Sequence, residues 1–67
     1  MFEVGKSFID QGDEVFTVSG FVGERLVLAT VRNKGRGWWI IQRNGTITRF
    51  RGSRRMVINH VREMLRS

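Results

Sequence analysis

Four stretches of the chain alternate apolar and polar residues with the period of two that marks a half-buried strand: Glu14 to Val22, Arg25 to Asn33, Gly37 to Arg43 and Thr46 to Arg51. Glycine-bearing segments separate them. Gly23-Glu24 reads as a tight turn and Asn33-Lys34-Gly35-Arg36-Gly37 as a looser one. Asn44-Gly45 carries the pattern of a two-residue type I′ hairpin, which needs positive φ at both central positions. The N-terminal "MFEVGKSFI" offers a further short strand through Phe2, Val4 and Phe8. After Gly52 the period becomes helical. Ser53 is positioned as an N-cap, and Val57, Ile58, Val61, Met64 and Leu65 share one face of a helix over 54–66, opposite Arg55, Asn59, Arg62 and Arg66. The pattern predicts an α+β, mainly β fold. It is a small antiparallel meander of about four strands, open or curled as an SH3-like barrel, with one C-terminal amphipathic helix covering one face.

Turn lengths then sort the side chains. A two-residue loop at Asn44-Gly45 pairs Trp38 with Arg51 and Ile40 with Arg49. If Gly23-Glu24 turns the first hairpin and Lys34 to Arg36 the second, Phe16, Val18, Val27, Ala29 and Val31 share a face with Trp39, Ile41 and Phe50. That face is the expected core. The other face carries two rows, Val15, Arg32, Trp38 and Arg51, then Thr17, Thr30, Ile40 and Arg49. Trp38 is therefore expected outward and Trp39 inward. A one-residue slip in the middle loop exchanges the faces.

Composition narrows the functional classes. At 67 residues the chain is expected to be one domain, near the lower size limit for a self-supporting core. The absence of cysteine excludes a disulfide framework, and a single histidine falls short of the usual ligand count of a transition-metal site, so no cofactor or metal is expected. The apolar runs are too short to span a membrane, and the N-terminus lacks the features of a signal peptide, so a cytoplasmic protein is expected, nucleoid-associated if it binds DNA.

Charge adds the most. Twelve Lys and Arg stand against six Asp and Glu, for a net charge of +6. The distribution is polar along the chain: residues 1–24 hold five carboxylates and only Lys6, whereas residues 25–67 hold eleven basic residues and only Glu63. Ten of the twelve basic residues are arginine, whose planar fork suits phosphate and stacks on flat rings. This bias points to an anionic partner, first of all nucleic acid.

Candidate binding residues follow from the expected outer face and its loops. Arg32, Lys34, Arg36, Arg43, Arg49 and Arg51 are expected to contact phosphates, with Trp38 stacking on a base or wedging at a groove. Arg54 and Arg55 occupy the first helical turn, where the helix dipole disfavours cations, so local helix stability does not account for them. They are expected to clamp a further phosphate beside the free N–H groups of the helix start. Duplex DNA with little sequence preference is the first partner expected, with single strands or RNA next. No base-edge code is visible. The architecture is similar to small DNA- and RNA-binding modules such as archaeal chromatin proteins and integrase arm-binding domains, although no motif of either is matched.

Other chemistries find no support. "GKS" at 5–7 lacks the upstream glycine of a phosphate-binding loop, and Asp13 and Glu14, adjacent on a strand, point to opposite faces. His60 lies off the apolar stripe. No catalytic apparatus is visible, so the protein is not expected to be an enzyme. The alternative is a small regulator or inhibitor that docks on an acidic surface of a larger protein through the same tryptophan and arginines, or a homodimer formed through an apolar edge near Phe21 and Val22.

Overall fold

In the computed structural model, which describes residues 1–67, the elements are β1 (Phe2–Val4), β2 (Phe8–Asp10), β3 (Asp13–Val22), β4 (Arg25–Asn33), β5 (Trp38–Gln42), β6 (Ile47–Phe50) and α1 (Arg54–Arg66). All strand pairings are antiparallel. The meander β3-β4-β5-β6 runs to one side, and β1 and β2 both pair with the other edge of β3. The sheet is not closed, so the barrel alternative does not form.

Six strands replace the expected four because the N-terminal segment supplies two. It breaks after Val4. Gly5 still donates its N–H to the Thr17 carbonyl at 2.7 Å, and pairing resumes at Phe8 opposite Val15. Gly20 permits the close approach of β1: a Cβ there would collide with the Met1 carbonyl and the Phe2 ring.

The first hairpin has the expected register, with Phe16 opposite Val31 and Val22 opposite Arg25. The next two turns depart from expectation in opposite senses. The middle connection is one residue tighter: Lys34 N–H donates to the Gly37 carbonyl at 2.8 Å, and Gly35 takes positive φ (+83°), its N–H bonded to the Asn33 side chain. The last is one residue longer. Gln42 N–H reaches the Thr46 carbonyl and Gly45 N–H the Gln42 carbonyl, so Arg43, Asn44 and Gly45 form a three-residue loop. Only Gly45 has positive φ (+90°), as a type I turn followed by a left-handed residue requires. The Asn44 carboxamide oxygen instead accepts the Thr46 N–H, a local bond that a type I′ turn does not need.

The two departures cancel for β6 and turn over β5 alone. Ile40 lies opposite Val31, and Trp38 opposite Phe50. Trp38 and Ile40 therefore enter the core, and Trp39 and Ile41 face the uncovered side. This reverses the expected roles of the two tryptophans. Phe50 stays on the core side and Arg49 on the open side, as expected.

The core joins Phe16, Val18, Ala29, Val31, Trp38 and Ile40 of the sheet to Val57, Ile58, Val61 and Leu65 of α1. Each large apolar side chain buried here contributes about 1.5–3 kcal/mol. Trp38 is 7% exposed, packs edge-on to Phe16 with ring centroids 6.0 Å apart, and donates its indole N–H to the Gly52 carbonyl at 2.9 Å. That bond ties the sheet to the start of the helix. The helix occupies its expected span, capped by Ser53, whose hydroxyl accepts the Met56 N–H at 3.2 Å. His60 stacks on Phe50 at 4.6 Å. No helix is long and apolar enough to cross a membrane.

Candidate nucleic-acid interface

The uncovered side of the sheet carries the row Val15, Arg32, Trp39 and Arg49, one side chain from each of β3 to β6. Arg32 is held internally. Its guanidinium pairs with Asp10 and, at 3.1 Å, with Asp13, and donates to the Asp10 carbonyl. Lys34 reaches Asp13 at 3.2 Å and lies 4.8 Å from the centroid of Trp39. Hydrogen bonds donated first by Arg32 and then by Lys34 hold the Asp13 carboxyl below its ordinary range, and the bonds that Arg32 donates to Asp10 and then Asp13 push its own pKa up. Arg32 thus fastens the N-terminal β2 to the meander.

A pH dependence follows. Because the Asp13 pKa is lower in the folded than in the unfolded chain, its stabilising contribution is present above the unfolded carboxylate range near pH 4 and is lost as pH falls through the folded value. The urea midpoint is expected to fall on acidification below about pH 4, and Asp13→Asn to flatten part of that acid limb. An identical acid limb in Asp13→Asn would show that the cluster does not set it.

Beside this row, at the end of the sheet where β5 begins and β6 ends, lies a shallow depression of about 250 Å³. Lys34, Arg36, Arg49, Arg51 and Trp39 line it, with Gly37, Trp38 and Phe50, and no carboxylate is among the lining residues. The turns explain the convergence: the tight middle connection brings Lys34 and Arg36 back over β5, and alternation along β6 into the following coil sends Arg49 and Arg51 to the same side. Arg49 stands 5.8 Å from the Trp39 centroid, so cations approach this ring from two residues. At Gly37 a Cβ would lie 3.0 Å from the Phe50 carbonyl, a tight contact that glycine avoids at the strand entrance.

Of the residues expected at the interface, Lys34, Arg36, Arg49 and Arg51 therefore come together. Trp38 lines the depression but belongs to the core, and the expectation that it projects outward is corrected. Arg43 lies at the opposite end of the hairpin, in the β5–β6 loop. Arg54 is accounted for by tertiary contacts: it approaches Glu14 at 3.5 Å and Ser7 at 3.4 Å and lies 4.6 Å over the Phe16 ring. Local helix stability still does not account for Arg54; these tertiary contacts give it a structural use beside the phosphate clamp expected of it. Arg55 is exposed on the flank of α1 beside Val4 and does not line the depression.

One lining residue was missed: Trp39 would have emerged from counting the middle loop as two residues instead of three. No group of three or more His, Asp or Glu side chains is placed to hold a metal ion. Comparison with protein-family models, with curated proteins and with solved structures finds no match to this chain.

Proposed function

We propose that the protein binds DNA with little sequence preference, through phosphate contacts from Lys34, Arg36, Arg49 and Arg51 around the ring of Trp39. The observation that carries this reading is the convergence of four cations and one outward tryptophan on a depression with no carboxylate in its lining. Arginine forks match phosphate oxygens in pairs, and the indole offers a flat surface to an unpaired base or to the sugar edge of a duplex.

About four phosphate contacts give an expected slope of roughly −3 to −4 in log K against log salt on duplex, and roughly −3 on a single strand. Tryptophan fluorescence supplies a second readout, because Trp39 is accessible while Trp38 is buried. Titration with duplex and single-stranded oligonucleotides across a salt series is expected to yield these slopes, with quenching that disappears in Trp39→Phe. Absence of binding at low salt would end the proposal.

The open sheet face favours a second reading, docking on another protein. Phe8, Phe21, Leu26 and Ile47 remain 56%, 61%, 48% and 50% exposed. Single exposed apolar residues are ordinary, but Phe21 and Leu26 are cross-strand partners and form a patch. Complex formation that survives high salt and depends on Phe21 more than on Arg49 would favour this reading.

A further inference from the structure

The flank of α1 facing β1 is not used by the interface above, yet it carries three arginines. Arg55, Asn59, Arg62 and Arg66 recur at i, i+4, i+7 and i+11 and so form one stripe along the helix. Two hollows lie along this flank. Arg54, Arg55, Asn59 and Arg62 line one with Val4 and Ile58, and Arg62 and Arg66 line the other beside Phe2 and Phe21. No carboxylate lines either. Arg62 is common to both.

Arg62 is also the one side chain with a buried polar atom lacking a hydrogen-bond partner: its Nε–H is out of contact with solvent and meets no acceptor. The other arginines whose guanidinium groups are engaged have anions to meet, Arg32 with Asp10 and Asp13, Arg54 with Glu14 and Arg66 with Glu63. Arg62 has none. Stem packing explains why a long side chain lies against the sheet, but it does not supply an acceptor for a buried donor. Helix stability accounts for Arg66, a cation in the last turn that pairs with Glu63, but not for Arg55, a cation at the helix start.

We infer that this flank is a second anion site, centred on Arg62, which takes a phosphate-type oxyanion. A tetrahedral oxyanion accepts several donors at once. Rotation of the Arg62 side chain toward the ligand would bring its occluded Nε–H out to form, with a terminal N–H, a fork suited to two of the oxyanion's oxygens, while the Asn59 carboxamide offers a neutral donor and Arg55 further charge. The ligand is either free phosphate or a phosphodiester of a nucleic-acid backbone, which present the same oxygens. The site lies on the helix flank beside β1, whereas the Trp39 depression lies at the β5–β6 end. The inference is therefore independent of the proposed DNA reading.

The test is an NMR titration of the whole protein, following the Arg62 Nε–Hε resonance and the Asn59 side-chain amide. Three probes are added at matched ionic strength: inorganic phosphate, a short single-stranded oligonucleotide, and sodium chloride. Saturable shifts at both groups with phosphate are expected, and at least tenfold tighter saturation by the oligonucleotide would identify the phosphodiester as the source. Response to phosphate alone identifies the free anion. Arg62→Lys, which keeps the charge and removes the fork, is expected to weaken the phosphate response at Asn59 at least fivefold, with the Trp38 indole resonance unchanged as the check on folding. Equal shifts with chloride, or none with either phosphate probe, would overturn the inference. Quenching of Trp39 is read in the same samples, so failure at Arg62 and failure at the depression remain separate results.

Discussion

Trp38→Ala is expected to destabilise the protein by about 3–5 kcal/mol, and Trp39→Ala by only about 1 kcal/mol, although the two residues are adjacent and identical. Trp38 is 7% exposed, contacts Phe16 edge-on and anchors the Gly52 carbonyl through its indole N–H. Alanine would leave a cavity where the sheet meets the helix and remove the bond that joins them. A domain of this length has a total stability of roughly 3–10 kcal/mol, so most of it would be gone. Urea unfolding followed by circular dichroism should show Trp38→Ala largely unfolded at 25 °C. Trp39→Ala should keep a cooperative transition near the wild-type midpoint while losing about 1–3 kcal/mol of affinity for a single-stranded oligonucleotide, roughly 5- to 150-fold. If the two variants are equally unstable, Trp39 is also part of the core and its availability as a binding surface fails.

The double charge reversal Arg49→Glu with Arg51→Glu is expected to lower duplex affinity by about 100-fold or more at low salt and to make the salt slope shallower by about 2. Both residues line the depression, both are exposed, and neither has a carboxylate partner in the fold. Stability should stay within about 0.5 kcal/mol, because exposed charges away from the core contribute little. Arg43→Glu is the internal control. It changes the charge in the same hairpin by the same amount per residue but stands at the opposite end. It is expected to cost less than about threefold beyond its effect on net charge. Equal losses from reversal at Arg43 and at Arg49 would mean that binding follows net charge and has no defined seat.

Much of the fold is legible in the sequence because periodicity is a local property. The spans of β3, β4 and α1 follow from runs of alternating or helical spacing longer than any competing pattern, and Ser53 marks the helix start by its side-chain chemistry. The faces of β5 were not legible, because a face depends on the number of residues in the preceding turn. Asn33 to Gly37 accommodates a two- or a three-residue connection, and Asn44-Gly45 serves a type I′ turn as readily as the second half of a longer loop. Local hydrogen bonds decide. The Asn33 side chain tightens one turn by capping Gly35, and the Asn44 side chain lengthens the other by capping Thr46. The partly legible interface has the same origin: Arg49 and Arg51 face the expected side because the two departures cancel at β6, while the tryptophans exchange roles. Arg32 and Arg54 were beyond reach. Their carboxylate partners, Asp10, Asp13 and Glu14, lie 19 to 40 residues away, brought near only by the pairing of β2 with β3 and by the helix crossing the sheet.

The open sheet has a further consequence. With no closure, β6 ends the meander as a bare edge of four residues, and its unpaired backbone groups are a template for a strand from another molecule. Arg49 on that edge and Arg51 just beyond it place like charges in the path of an approaching copy. Neutralising these residues with alanine therefore removes a gatekeeper against polymerisation, whereas reversal to glutamate restores one of opposite sign.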